Sequence, residues 1–175
     1  KDQVDAAKAK LADEGVTLFM IIFSIYSILL NKLSGTKEVV VGVPVKGRSR
    51  KEFDDIIGMF VNTLAIKTDL SQKLHYNDYL KQVKEVMLLA FDNQDYPFAD
   101  LVNELQVERD ITRNPLFDHM IVWQGNDIEE NIKDDFADQD LYIGNSIESY
   151  QQSELDTTLL CYDGPDKLII DWVYD

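Results

Sequence analysis

Apolar residues recur along this chain in patterns that predict helices and strands. The longest apolar run, Val16–Leu30, predicts a helix that Thr17 caps and that Ser34-Gly35 ends. This run is shorter than the roughly twenty residues that a membrane-spanning helix needs. The next run, Glu38–Val45, is almost entirely apolar and predicts a strand that is covered on both faces, with Pro44 limited to its exit.

The remaining patterns add further helices and strands. In chain order they predict a helix over Val4–Ala12, a strand over Met59–Thr68, a helix over Asn77–Phe91, a helix that opens at Pro97, a strand over Phe117–Gln124 and three strands within Leu141–Asp175, the last two joined by a turn at Gly164-Pro165. Helices and strands intermingle, so the fold class is α/β, with a mixed β-sheet and helices packed against it. The length of 175 residues fits one domain or one lobe.

Charge and cysteine content narrow the range of partners. The chain has 17 Lys and Arg against 32 Asp and Glu, a net charge of -15, which disfavours binding to nucleic acid and to anionic membranes. The basic cluster Lys46, Arg48, Arg50 and Lys51 is the exception to this balance. Cys161 is the sole cysteine and lies in a predicted strand, so we expect a buried, inert thiol and a cytoplasmic location.

The sequence contains no catalytic constellation that its residue types and spacings reveal. The two histidines, His75 and His119, have no second histidine or cysteine at a metal-ligand spacing, and we expect a surface or half-buried imidazole for each. No glycine-rich phosphate loop is present. The acidic stretch Asn126–Asp140 lacks the glycine of a calcium loop, so we interpret it as a solvated, mobile loop and expect no metal site.

Three segments are more specific than composition. VGVPVKGRSR spans Val41–Arg50, IGMFVNTLAI spans Ile57–Ile66, and Asn93–Phe117 contains NQDYPFADLVNEL followed by ERDITRNPLF. In this order they resemble the C-terminal half of the condensation domains of nonribosomal peptide synthetases, which belong to the chloramphenicol acetyltransferase-like superfamily. TLFMIIFSIYSILLNKLSG, LFDHMIVWQ and SELDTTLLCYDGPDKLIIDWVYD agree with it, so the resemblance covers nearly the whole chain.

The resemblance implies a fold of two similar lobes in a V, with a tunnel between them. Donor and acceptor peptidyl carrier proteins dock at its two mouths and insert phosphopantetheine arms, and the acceptor amine attacks the donor thioester to form an amide. The signature of the family, His-His-x-x-x-Asp-Gly, lies on the first lobe and is absent here. We therefore expect residues 1–175 to be the C-terminal lobe, without the N-terminal lobe, without a catalytic residue or a directly bound cofactor, and inactive alone.

The same resemblance suggests roles for four residues. It implies that Arg48 pairs with the signature aspartate of the other lobe, and that without this partner Arg48 is solvated or mispaired. Asn62 and Thr63 either line the tunnel or bond neighbouring backbone. Asn114 either faces the tunnel or fixes a sharp turn into the next strand. The face near Arg48 and Asn62 would then be uncovered, and an apolar face there would favour self-association.

Other partners and functions stay open at this point. The family context adds an adjacent adenylation domain to the N-terminal lobe and the two carrier proteins. One alternative is a non-catalytic interaction or carrier-docking module that uses the basic cluster. Another is a stand-alone acyltransferase of the same superfamily, which would need a catalytic histidine although neither His75 nor His119 lies in the signature.

Overall fold

The computed structural model describes residues 15–48, 50–53, 55–72, 74–107, 110, 112–124, 155–163 and 168–174. In chain order they form α1 (Leu18–Ser34), β1 (Glu38–Val45), a single 3-10 turn (Lys51–Phe53), β2 (Asn62–Asp69), α2 (Tyr76–Asp92), α3 (Phe98–Glu104), β3 (His119–Gln124), β4 (Thr157–Asp163) and β5 (Leu168–Tyr174). Outside the described residues lie the predicted helix Val4–Ala12, the acidic stretch Asn126–Asp140, the turn Gly164-Pro165 and the first of the three strands predicted after Leu141.

Local capping sets both ends of α1, as the sequence predicts. The Thr17 hydroxyl oxygen accepts a hydrogen bond from the Met20 amide at 3.2 Å, which satisfies one of the free N–H groups of the first turn. At the other end, Gly35 adopts a left-handed conformation with φ of 71°, and its N–H donates to the Asn31 carbonyl. A side chain other than glycine would be strained there.

The five described strands form one mixed sheet in the order β2-β1-β3-β4-β5. β1 pairs antiparallel with β2, β3 runs parallel to both β1 and β4, and β5 closes the sheet antiparallel to β4. The pairing of β1 with β3 is confined to Val41 and Gly42, so Pro44 lies beyond it at the exit of the strand, as predicted. The mixed sheet with helices against it confirms the predicted fold class.

One face of the sheet packs against α1 and α2. Val39, Val41 and Val43 alternate along β1 and are buried together with their β2 partners Thr68, Ile66 and Leu64. Phe23 of α1 and Val83 of α2, both at 0% exposure, fill the space between helices and strands. Because side chains of a strand alternate between its two faces, this register assigns every β1 and β2 position to the helix-covered face or to the opposite one.

On the opposite face, an aromatic ring lies against the backbone of β1. A Cβ atom at Gly42 would lie 2.5 Å from the ring of Phe117, so only glycine leaves room for this ring. The Phe117 ring also packs against Phe98, the first residue of α3, with 5.7 Å between centroids. This contact brings the segment Asn93–Phe117 next to the strand that carries the first of the three motifs.

Candidate functional site

Arg48 holds together the loop that connects β1 to β2. Its guanidinium donates hydrogen bonds to the carbonyl oxygens of Phe53 and of Ile56, the latter at 3.0 Å. The same group lies 4.3 Å above the centroid of the Phe60 ring, within the range of a cation–π contact. The Phe60 ring in turn stacks on Phe53 at 5.5 Å. The arginine thus joins three separate points of its own loop.

Gly47 allows the two ends of this loop to meet. It has a φ of 63°, and a Cβ atom there would lie 1.7 Å from the Phe60 carbonyl oxygen. Both the backbone conformation and the close approach therefore require glycine at this position. The strand predicted over Met59–Thr68 begins three residues later than predicted, at Asn62. The contacts of Phe60 with Arg48 and Phe53 keep residues 59–61 in the loop, and pairing begins at Asn62.

Arg48 is a half-buried residue whose guanidinium is engaged within its own loop. Among the described residues its hydrogen-bond partners are backbone carbonyls, not a carboxylate. The sequence does not reveal this role in fixing the loop, because the five N–H donors of arginine can bond a backbone carbonyl or a carboxylate. A pairing with an aspartate of another lobe stays a prediction.

Asn62 joins two of the three motifs. Its amide nitrogen donates to the carbonyls of Gln94 at 2.8 Å and Tyr96 at 2.7 Å, and its Oδ1 accepts from the Phe98 amide at 3.1 Å. The side chain thereby fixes the turn between α2 and α3 against the first residue of β2. The structure has the backbone-bonding arrangement that was one of the two interpretations of this residue, and a tunnel role is untested.

Asn62 and Thr63 do not share one face of the sheet. Asn62 has the same parity along β2 as the buried Leu64, whereas Thr63 points to the face on which the Phe117 ring covers Gly42. Thr63 lies opposite Pro44 in the register of β1 and β2. The Asn62 amide and the Thr63 hydroxyl therefore start from opposite faces of β2.

Asn114 starts a turn that aims the chain into β3. Its Oδ1 accepts from the amides of Leu116 at 3.1 Å and Phe117 at 3.3 Å. An asparagine in this arrangement replaces a backbone acceptor and fixes the turn. It sets the position from which Phe117 reaches Gly42, which agrees with the structural interpretation. A role of Asn114 in the tunnel is untested.

Sequence reasoning missed a set of contacts at the starts of β3 and β4. Arg113 bonds Asp118 at 3.0 Å and Asp156 at 3.1 Å, and so bridges the residues that precede these two parallel strands. The nearby carboxylate of Asp110 accepts from the amide and hydroxyl of Thr112. Because 43 residues separate Arg113 from Asp156, no local spacing indicates their pairing.

A chain of three side chains lies beside this bridge. The Thr157 hydroxyl is 2.9 Å from His119 Nδ1 and 2.6 Å from the Tyr26 hydroxyl of α1. Burial lowers the pKa of His119, although the carboxylates of Asp118 and Asp156 act in the opposite direction. Burial also raises the pKa of Tyr26 to about 12, so this phenol is neutral. His119 is half-buried, as expected, whereas His75 is exposed just before α2.

Other groups considered for chemistry are inert or absent from the described residues. Cys161 is fully buried, which confirms the expected buried thiol, and burial raises its pKa to about 11. The part of the chain that the structure describes contains no group of three or more metal-binding side chains. It also contains no helix with the length and apolar character to cross a membrane.

The family follows from comparison with known proteins. The model of the family described as "Condensation domain" matches residues 1–175. The chain belongs to the condensation-domain family. This confirms the resemblance that the three motifs carry, while the position of the chain as the C-terminal half of such a domain stays a prediction.

Relatives of this condensation-domain chain are very large synthases. Gramicidin S synthase 2 of Aneurinibacillus migulanus is 47% identical over 120 residues, which is 69% of this chain and 3% of that protein. Bacitracin synthase 3 of Bacillus licheniformis is 41% identical over 149 residues, which is 85% of this chain and 2% of that protein. The chain thus spans only a small part of each.

Solved structures show the same fold. A four-domain nonribosomal peptide synthetase, bound to AMP and glycine, superposes with a TM-score of 0.75 at 24% identity over 98% of this chain and 14% of its own. The condensation domain of the Monacolin K polyketide synthase MokA gives 0.74 at 16% identity, over 98% of this chain and 39% of its own. At these identities the likeness establishes the condensation-domain fold of the chain.

Proposed function

We propose that this chain is the C-terminal lobe of a condensation domain that forms an amide bond between two carrier-bound thioesters. The nitrogen of the aminoacyl acceptor attacks the thioester carbon of the acyl or peptidyl donor, a C–N bond forms, the C–S bond breaks, and the thiol stays on the donor arm. The family match over residues 1–175 carries this proposal. Since His75 and His119 are neither adjacent nor followed by Asp-Gly, the proton acceptor comes from the N-terminal lobe.

The site residues of this proposal are Arg48, which forms the interlobe ion pair, and Asn62, Thr63 and Asn114, which line the tunnel. The amide and hydroxyl groups of Asn62 and Thr63 suit a phosphopantetheine arm, which is itself a chain of amides. The two side chains have opposite orientations along β2, so in the proposal they contact the arm from different sides. Thr63 lies on the same face of the sheet as Gly42. Arg48 and Asn114 support the wall through the loop and the turn that their hydrogen bonds fix. No cofactor binds this chain directly in the proposal.

The partners are the N-terminal lobe, the donor and acceptor carrier proteins and an adjacent adenylation domain, all in the cytoplasm. The basic cluster supports docking of an acidic carrier, because Lys46, Arg50 and Lys51 are exposed on a chain whose net charge is -15. The same observation favours the second candidate, a carrier-docking module without catalysis. An NMR titration of the chain with a carrier protein tests this docking, and shifts confined to these residues would support it.

The experiment for the main proposal uses the complete condensation domain that contains residues 1–175. Loaded donor and acceptor carriers are mixed with this domain, and the amide product on the acceptor arm is measured by mass spectrometry. We expect product with the complete domain and none with the 175-residue chain alone. Absence of product with every pair of loaded carriers, while a known condensation domain is active in the same assay, would refute the proposal.

A further inference from the structure

Asp171 of β5 is a half-buried carboxylate without a counter-charge among the described residues. Its Oδ2 atom is buried and has no hydrogen-bond partner. Burying a charged oxygen in this way costs free energy unless a donor or a cation meets it. None of the ion pairs within the described part of the chain includes this residue. The carboxylate is therefore free to bind a group from outside these residues.

The side chains directly beside Asp171 on its face of the sheet are apolar. Leu160 lies opposite it on β4, and Ile169 and Val173 precede and follow it on the same face of β5. Apolar surroundings strengthen the attraction between a carboxylate and a cation, because they lower the local dielectric constant. The group that fits this position has a charged end for the carboxylate and methylene carbons that lie against its apolar neighbours.

Asp171 ends a row of side chains that crosses all five described strands on the face opposite α1 and α2. The step from β1 to β3 in this row follows from the pairing of Gly42 with Met120, two residues earlier on both parallel strands. The row spans roughly 19 Å, since neighbouring strands lie about 4.8 Å apart. It has a hydroxyl at one end, a carboxylate at the other and apolar residues between them. Its members are Thr63, Pro44, Val122, Leu160 and Asp171.

We propose that Asp171 binds the cationic side chain of an aminoacyl or peptidyl substrate, an ammonium or a guanidinium, and thereby selects for basic substrates. This inference rests on the proposed function, because the row begins at Thr63, one of the residues proposed to line the tunnel. The attacking α-amine is not the group that Asp171 binds, since a carboxylate beside it would hold it in the protonated form, which is not a nucleophile. The basic side chain belongs to the donor or to the acceptor, and the assay distinguishes the two.

A kinetic comparison in the complete condensation domain that contains residues 1–175 tests this selection. Lysine and its uncharged analogue norleucine are loaded in turn on the acceptor carrier and on the donor carrier, and kcat/KM for amide formation is measured for each. On one of the two carriers, we expect Asp171→Asn to lower the ratio of the lysine value to the norleucine value about tenfold to a hundredfold, the range for a hydrogen bond to a charged group. An unchanged ratio on both carriers, with amide still formed, would overturn the inference.

Two further variants separate recognition from a structural role. Asp171→Glu keeps the carboxylate and should keep most of the preference for lysine, whereas a loss as complete as in Asp171→Asn would overturn the inference. Asp92→Asn removes the same charge at the exposed last residue of α2 and should leave the ratio unchanged. An equal fall in this control would assign the preference to net charge. If Asp171→Asn lowers the stability of the domain in urea without changing the ratio, the carboxylate pairs with a basic residue of the protein itself, and the inference is wrong.

A binding measurement makes the inference independent of turnover. Isothermal titration of the same domain with the pantetheine amides of lysine and of norleucine gives the ratio of their Kd values. We expect tighter binding of the lysine compound and loss of this preference in Asp171→Asn. Preferential binding without amide product would refute the proposed function alone, whereas amide product without any preference would refute the inference alone. Absence of both would refute both.

Discussion

Asn62 Oδ1 accepts a hydrogen bond from the Phe98 amide at 3.1 Å, and this bond joins the first residue of β2 to the first residue of α3. The two N–H groups of the same amide bond the carbonyls of Gln94 and Tyr96. One side chain thus satisfies three backbone groups of the turn, which also has a backbone hydrogen bond from the Tyr96 amide to the Asn93 carbonyl. Such a residue contributes more to stability than its partial exposure suggests.

Replacing Asn62 by Ala should destabilise the chain by about 1–3 kcal/mol, because two partly buried backbone groups and one exposed carbonyl lose their partner. Urea unfolding measures this difference. Asn93→Ala is the matched control, since the Asn93 amide donates a single exposed hydrogen bond to the Leu89 carbonyl. If Asn93→Ala destabilised the chain as much as Asn62→Ala, the role of Asn62 in fixing the turn would be contradicted.

A methyl group at Gly42 should also destabilise the fold. It would lie 2.5 Å from the Phe117 ring, which is 4% exposed and packs on Phe98. Overpacking of this kind costs about 1–3 kcal/mol. In the double variant Gly42→Ala/Phe117→Leu, the smaller side chain at position 117 should restore part of the unfolding free energy that Gly42→Ala loses. A double-mutant cycle measures this coupling. Strictly additive effects on the unfolding free energy would show that the ring and the glycine do not interact.

Removing the Thr157 hydroxyl should leave the hydroxyl of buried Tyr26 and the imidazole of half-buried His119 without this partner. The Tyr26 hydroxyl, on a residue that is 2% exposed, and His119 Nδ1 both bond this oxygen. Thr157→Val should therefore lower the free energy of unfolding by about 1–3 kcal/mol. Tyr26→Phe should lower it less in the Thr157→Val background than in the original chain. A thermal or urea unfolding cycle over the four proteins measures this. An equal cost of Tyr26→Phe in both backgrounds would exclude the coupling.

The lowered pKa of His119 predicts a loss of stability in mild acid. In the unfolded chain this imidazole titrates near 6.5, whereas burial lowers its pKa in the folded state. As the pH falls below 6.5, the unfolded state binds more protons than the folded state, so the unfolding free energy decreases until the folded pKa is passed. Above pH 6.5 the histidine is neutral in both states, so its contribution to the unfolding free energy is fully present.

Urea unfolding at pH 7.5 and pH 5 compares the chain with His119→Gln, whose amide keeps a partner for Thr157. The substituted chain should lose less stability on acidification. The NMR titration of His119, with Arg113, Asp118 and Asp156 left unchanged, gives the folded pKa directly. An equal loss in the two proteins would place the origin of the acid sensitivity elsewhere.

Local signals in the sequence determined most of the regular elements. Thr17 and Gly35 bound α1 through contacts within the same few residues, so their residue types suffice to predict its ends. The apolar run of β1 predicts the first and last residues of this strand. In α2, apolar residues that are three and four positions apart, from Leu80 to Met87, predict the side of the helix that is buried. The ordered motifs likewise indicate the family, because they are read from residue types and spacing alone.

Only the tertiary structure decided what the candidate site residues contact. Asn62 reaches the Gln94 carbonyl across 32 residues, and Arg113 reaches Asp156 across 43. These partners meet because the strand order β2-β1-β3-β4-β5 places distant segments side by side, and no local period encodes that order. Arg48 shows the same limit at short range. A guanidinium bonds carboxylates and carbonyls alike, and the stacking of Phe53 on Phe60 made its own loop the partner.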